Sequence, residues 1–375
     1  MHRMVYPFLA IFGRGLGVDL AQMSWALTVR SAVGALGPLM ASIADSRSRK
    51  AGMVLGLSIF IAGLVLVIFQ PYFWAFVLSL VLSTVGYLVF IPSMQAYLGD
   101  HIPYRQRGLA IAVTEMGWSL SFIIGIPITG FLLARLGWRS PFPFLLVLSG
   151  LFFLILMRLI SGEAPPGVAS TNPLAGLQRV FSSPLAWMGL LMSMSFTMAN
   201  ELVNLVFGVW MEDSFHFQVT SLGILAVGIG LAEFCGEGLV AALVDKIGKT
   251  RSVILGLLLN ILAALSLALF GKTLLSASTS LLFFYFTFEF TLVSSLPMMT
   301  EVLPSAHASL MAANIAFISL SRAMGDLTAP YLYKIGNSLF AISRIGLNAG
   351  LAIFLDIMAL VLLFMLRKGL AHVER

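Results

Sequence analysis

ASIADSRSRK (residues 41–50) and AALVDKIGKTR (residues 241–251) are the two stretches that decide the fold. The first breaks a nearly continuous apolar sequence with one acid, three bases and no apolar residue from Asp45 to Lys50. The second repeats it, with Asp45 matching Asp245 and Arg49 matching Lys249, both at an offset of 200. A further pair, GDHIPYRQRG (99–108) and TEVLPSAHAS (300–309), matches Asp100 with Glu301 and Pro103 with Pro304 at an offset of 201. Four correspondences in chain order indicate an internal duplication.

The sequence around these segments is that of a membrane protein. Of 375 residues, 59% are hydrophobic and 10% are charged, against about 25% charged in soluble domains. The mean hydropathy is +0.99. The net charge of +6 is no nucleic-acid footprint, because the bases sit in short clusters between apolar runs, where loop charges belong. The single cysteine, Cys235, excludes an intramolecular disulfide, and its apolar setting predicts a packing role. No cleavable signal peptide stands out.

A helix needs about 20 apolar residues to cross a bilayer. By that measure the chain predicts twelve spans: 1–15, 20–43, 51–70, 73–98, 109–134, 143–161, 185–210, 219–243, 252–270, 275–299, 308–333 and 346–366. The longest break, Ser161 to Pro184, is rich in Pro, Gly and Ser. The expected organisation is an N-terminal six-helix bundle (1–161), a linker (162–184) and a C-terminal six-helix bundle (185–375). With the N-terminus inside, 14 Lys and Arg fall on the cytoplasmic side against 6 outside, so both termini and the linker are expected in the cytoplasm. Two parallel repeats of six spans are a transporter architecture.

On these residues the chain resembles the major facilitator superfamily. That family's signature between spans two and three reads roughly G-x-L-a-D-r-x-G-r-[KR]. Asp45, Arg49 and Lys50 match it, whereas Ala41, Ser46 and Ser48 depart from it. The second copy keeps Asp245, Lys246, Gly248 and Lys249, again with an alanine, Ala241, first. The resemblance covers nearly the whole chain. It implies an all-α fold of two pseudo-symmetric six-helix bundles and a cytoplasmic latch. In that latch Asp45 faces a helix N-terminus of the opposite half, Arg49 bridges toward Asp100, and Asp245, Lys249 and Glu301 repeat the arrangement. Solvated loop charges are the alternative, but acids add little to loop orientation, which favours the latch.

The repeat also exposes an anomaly. Met1 aligns with Glu201, in the middle of span seven, so span one lacks its cytoplasmic half. Fifteen residues reach roughly 22 Å, short of the ~30 Å core. The expectation is a chain that starts at an internal Met, or a fragment; a genuinely short, tilted span is the alternative. Mass spectrometry of the native N-terminus separates them.

Ionisable residues within spans are costly and mark function by default. They are Arg30, Glu115, Glu201, Glu233, Glu237, Glu289, Arg322, Asp326 and Asp356. At ~1.5 Å per residue, Glu237 lies roughly 12 Å deep, Glu233 and Glu289 roughly 18 Å, and Arg322 roughly 24 Å. Glu233 and Glu237 share a helix face and do not both ionise easily, which suits proton coupling. Arg322 neutralises one acid of this group, with Asp326, one turn on, as its simplest local partner. A structural polar network is the alternative for the group. Glu201 and Asn204, one turn apart on span seven, are candidates for substrate contact, because the resemblance places that span beside the central cavity. Arg30 and Glu115 form a candidate pair in the first half. The resemblance places span twelve, with Asp356, at the periphery.

Drug-efflux antiporters of the family often carry an Arg in span four, and this span four has none. Span five reads GWSLSFIIGIPITG, and Gly125, Pro127 and Gly130 loosely resemble the family's G-P-x-x-G helix-bend motif, with Ile126 intervening. Generic glycine packing is the alternative.

The leading expectation is a secondary transporter moving a small solute by rocking of two bundles, with proton-coupled efflux favoured over uniport or uptake. The excess of buried acid favours a neutral or cationic solute. Protons and the lipid bilayer are the other expected partners, a monomer is the expected state, and no nucleic acid, cofactor or metal is implied. A non-transporting sensor or scaffold is the second class. An enzyme is the third and weakest: there is no nucleotide loop, no H-E-x-x-H and no clustering of the five histidines. The expected location is a bacterial inner membrane.

Overall fold

The computed structural model describes residues 4–38, 48–101, 114, 117, 120–160, 173–303, 306–339 and 343–373. The described chain is helical and follows the twelve-span order. The first half holds α1 (Leu9–Leu16), α2 (Leu20–Gly34), α3 (Arg49–Phe69), α4 (Phe73–His101), a π-helical turn (Ser121–Gly125) continuing into α5 (Ile126–Leu136), and α6 (Pro141–Leu159). A short helix, α7 (Pro173–Ser182), lies between the halves in sequence. The second half holds α8 (Pro184–Asn204), α9 (Phe207–Phe215), α10 (Val219–Ile247), α11 (Lys249–Phe270), α12 (Leu274–Val302), α13 (His307–Leu339) and α14 (Gly346–Val373).

Local chemistry sets the helix ends. Asp19 caps α2 reciprocally with Gln22: Gln22 N–H donates to Asp19 Oδ1 at 2.8 Å, and Asp19 N–H donates to Gln22 Oε1 at 3.1 Å. Such a capping box satisfies two orphan donors at once. Ser183 caps α8, and Pro184 occupies its first turn, where a missing N–H costs nothing. Gly17 ends α1 in the left-handed region at φ 70°, which a residue without Cβ adopts freely. The prolines carry the duplication as well. Pro92 in α4 and Pro297 in α12, like Pro127 in α5 and Pro330 in α13, stand about 200 residues apart, as six-span repeats require.

Among the described residues, eight helical segments are long and apolar enough to cross a membrane. α13 is not among them, and α2, at 15 residues, is too short to count. These two pack on each other across the halves, and they carry Arg30, Arg322 and Asp326. Their polarity is therefore turned inward, away from lipid.

The halves meet along two seams, α2 with α13 and α5 with α10. Small residues allow the approach. A Cβ on Gly34 would lie 2.9 Å from Ser319 Oγ, and one on Gly230 would lie 2.7 Å from Phe122 Cβ. A third contact sets Gly208 of α9 against the backbone of Pro7. One apolar core runs through both halves, uniting Phe8, Phe12, Phe76 and Phe142 with Phe207, Trp210 and Phe284. Beyond the core, Arg14 of the first half pairs with Glu212 of the second. A second core, around Phe196, Val253, Met299 and Leu363, is built among the described residues from the second half and from Val180 of α7.

Span seven is one apolar segment, Pro184–Phe215, with a turn at Leu205 and Val206 between α8 and α9. One expectation is corrected. Cys235 is exposed on α10 rather than packed, since an apolar helix at a bundle surface turns its apolar side chains outward to lipid.

Candidate functional site

The break in span seven follows directly after the residues that build the site. Glu201 and Asn204 lie on the last turn of α8, and Asn204 Nδ2 donates to Glu201 Oε1 at 3.2 Å. Tyr285 of α12 donates from its hydroxyl to Asn204 Oδ1 at 2.6 Å, and Phe207 packs edge-on against the Tyr285 ring. Arg322 of α13 brings Nε to 3.9 Å from Glu201 Oε2, an ion pair too long for a hydrogen bond. Gly325, one turn along α13, lies against the Glu201 side chain: a Cβ there would come 2.7 Å from Glu201 Cβ. Three helices are thus fastened around a single carboxyl.

Glu201, Asn204, Tyr285 and Arg322 line a cavity of about 50 Å³ together with Tyr6, Phe122, Asn200, Glu233, Phe288, Glu289 and Leu292. Tyr6 and Phe122 come from the first half and the rest from the second, so the cavity lies between the two. It has room for a water or two, far below the 300–1,000 Å³ or so of a solute pocket. Two larger cavities, about 460 Å³ each, run along the flank of α3, α4 and α6. Among the described residues no acidic or basic side chain lines either one, and Tyr87 is the one hydroxyphenyl group in the first, so they offer mainly apolar space without the charges of the central cavity.

A second polar group adjoins the first. Arg30 of α2 is buried, and its Nη2 donates to the Tyr6 hydroxyl and, at 3.3 Å, to Ser31 Oγ. The Arg30 guanidinium also stands 5.1 Å from the Tyr6 ring centroid, within cation–π range. Ser31 Oγ donates to Asp326 Oδ2 at 2.7 Å, and Ser24 Oγ donates to the main-chain oxygen of Asp326. A run of polar contacts therefore crosses from α2 through α13 to α8 and α12.

Arg322 and Asp326 do not pair with each other, as one helical turn suggests; Arg322 turns to Glu201 and Asp326 to Ser31. Packing between helices outweighs proximity along one helix, because it is the facing helices that supply the buried partners. Glu233 and Glu289 reach the cavity, whereas Glu237, one turn beyond Glu233, does not line it. Glu115 and Asp45 lie outside the described residues, as do the side chains of Asp100 and Asp245. Lys249 pairs with Glu301 at the opposite end of the second half from Glu212, and Arg49 stands at the start of α3. Gly125, Pro127 and Gly130 fall where the π-helical turn becomes α5. Thr129 Oγ1 donates to Gly125 O at 2.8 Å there, and Gly223 of α10 approaches Pro127 Cα. Proline removes a backbone donor at such a point and allows the widened turn. Asp356 lies away from the cavity, where Asn260 Nδ2 donates to its Oδ2 at 2.9 Å and Thr287 Oγ1 donates to Asn260 Oδ1 at 2.8 Å. Tyr6, Tyr285 and Phe122 were not singled out in the sequence, since an aromatic in an apolar span gives no sign of facing a cavity.

Residues 1–330 match the Major Facilitator Superfamily. The chain belongs to this superfamily. Over 339 residues it is 25% identical to the MFS-type transporter YceJ of Bacillus subtilis, covering 88% of this chain and 85% of that one. A POT family transporter in complex with a thioalcohol-conjugated peptide shares the fold at TM-score 0.77 and 14% identity, covering 100% of this chain and 92% of that one. The nucleoside transporter NupG does so at TM-score 0.75 and 14% identity, covering 98% and 95%. As a superfamily member the chain is an integral membrane transporter, and the cavity lies where its two six-helix bundles meet.

Proposed function

We propose that this transporter moves a small neutral or cationic solute out of a bacterial cell in exchange for protons. The observation that carries the reading is the cavity between the halves, lined among the described residues by Glu201, Glu233 and Glu289 against one guanidinium, Arg322. Acids outnumber bases there, and the aromatic faces of Tyr6, Tyr285 and Phe288 suit a cation or an apolar ring. Carboxyl groups at this depth are costly unless they bind something, and a proton and a cationic solute are alternative ways to neutralise them.

The moving bodies are residues 1–161 and 185–375, joined by 162–184. With both termini cytoplasmic, the seam closed by Arg14 and Glu212 faces outward, and release of that pair opens the cavity to the outside. Asp45, Arg49 and Asp100, with Asp245, Lys249 and Glu301, form the opposing cytoplasmic latch. Gly125, Pro127 and Gly130 let α5 bend against α10 without opening a leak. The working unit is the monomer.

The test is a thermal-stability screen of purified protein across drugs, sugars and amino acids at pH 5.5 and 8. A bound solute at a hundred times its Kd adds about 2.7 kcal/mol. The expected hits are neutral or cationic, bind more tightly at pH 8, and weaken in Glu201→Gln. Stabilisation by anions alone, or equal binding at both pH values, contradicts the reading.

A further inference from the structure

Among the described residues the first half reaches the central cavity through two side chains, Tyr6 and Phe122. The Tyr6 hydroxyl has its role fixed by Arg30. A guanidinium carries donors only, so the bond from Arg30 Nη2 takes a lone pair of the Tyr6 oxygen and leaves the phenolic hydrogen unspent. That bond is the one hydrogen bond Tyr6 makes among the described residues. The Tyr6 ring is buried and lies against the same guanidinium, which holds the hydroxyl in place.

Asn200 of α8 repeats the pattern from the second half. It is buried and lines the cavity, and its Nδ2 meets no acceptor among the described residues. Its neighbours differ from it. One turn on, Asn204 spends Nδ2 on Glu201 and takes the Tyr285 hydroxyl at Oδ1, and Glu201 also faces Arg322. The polar groups around Glu201 thus answer one another, whereas Tyr6 and Asn200 each keep a donor in reserve. A buried donor is costly without an acceptor, and two of them on one cavity call for an acceptor that arrives with the solute.

We infer that the solute is an amine that also carries a hydroxyl, ether or carbonyl oxygen, and that Tyr6 and Asn200 recognise this oxygen. The inference rests on the transport reading above for the amine, which Glu201, Glu233 and Glu289 attract. It adds a second point of recognition. The three acids all belong to the second half, so the amine alone gives the first half nothing polar to hold. An oxygen that meets both Tyr6 and Asn200 joins the halves across the cavity. The site therefore favours amino alcohols and amino amides over bare alkylamines, because a bare amine leaves both donors unpaired.

Binding of leucinol and of 4-methylpentan-2-amine to the purified protein at pH 8 tests this, since the two amines share a carbon skeleton and differ by one oxygen. The wild type is expected to bind leucinol about tenfold more tightly, and Tyr6→Phe, which deletes only the hydroxyl, to bring that ratio to about threefold or less. Binding of 4-methylpentan-2-amine is expected to match the wild type, which shows that the variant is folded. Asn200→Leu is expected to lower the ratio likewise, and it carries the test if Tyr6→Phe, by depriving Arg30 of an acceptor, does not fold. Equal affinity for the two amines in the wild type, an unchanged ratio in either folded variant, or no binding of either amine overturns the inference. Equal loss of both amines in both variants assigns the two residues to folding and overturns it as well. A leucinol preference that Tyr6→Phe abolishes, with neither amine moving across vesicles, rejects the transport reading and keeps the oxygen contact; movement of both amines with equal affinity does the reverse.

Discussion

Arg322 Nε stands 3.9 Å from Glu201 Oε2, and the two differ in exposure: the Arg322 side chain is 27% accessible and that of Glu201 2%. Both line the cavity, but the base keeps access to water there and the acid does not. Removing the base therefore strands a buried charge. Arg322→Gln is expected to destabilise the protein by about 3 kcal/mol or less, under the range for fully buried pairs because Arg322 is partly solvated. Arg322→Gln with Glu201→Gln is expected to recover most of the loss, as thermal unfolding in detergent checks. Equal melting of the Arg322→Gln variant and wild type contradicts the pairing.

Gly325 is a sharper steric test of the same site. With Glu201 Cβ 2.7 Å from the position of an added Cβ, Gly325→Ala is expected to push α13 off α8 and cost about 1–3 kcal/mol. Gly350 has nothing within 4 Å of its added Cβ, and Gly350→Ala is expected to gain a few tenths of a kcal/mol to about 1. Opposite signs of the two melting shifts are the expected result.

The Arg14–Glu212 pair is half open to solvent, so it holds the halves by about 1 kcal/mol at most. Glu212→Arg is expected to raise labelling of Asn204→Cys by a membrane-impermeant maleimide, added outside, by up to about fivefold. Cys235→Ser removes the native thiol beforehand. Unchanged labelling detaches that pair from the outward gate.

Asp356 offers a structural contrast. Asn260→Ala removes the donor to its Oδ2 and is expected to cost about 1–3 kcal/mol. Asp356→Asn is expected to leave solute binding unchanged. Loss of solute binding in Asp356→Asn, measured by the same thermal screen, contradicts a purely structural role.

Much of this architecture is legible in the chain because lipid enforces it. Twelve apolar runs and two charged loops 200 residues apart suffice for the fold, and Glu201, Glu233, Glu289 and Arg322 draw notice simply by being charged in apolar surroundings. What the chain hides is rotation. A helix that is apolar all round gives no period to say which face meets a partner, so Arg322 reads as a neighbour of Asp326 although it points to Glu201. Glu233 and Glu237 read as equals although Glu233 lines the cavity and Glu237 does not. Tyr6, ahead of α1, and Tyr285 of α12 reach the polar group from separate segments, and no spacing within one span announces that. The break after Asn204 is silent for a similar reason: Leu205 and Val206 are ordinary helix residues, and packing around the cavity overrides their preference.

Solute-driven proton movement tests the central claim most directly. Purified protein in vesicles containing a pH-sensitive dye is given a solute identified by the stability screen, with no imposed pH gradient. The account predicts that solute flowing down its gradient drives protons the opposite way in the wild type, and that the proton signal vanishes in Glu201→Gln. Solute moving with no proton signal, or a full signal in Glu201→Gln, contradicts it.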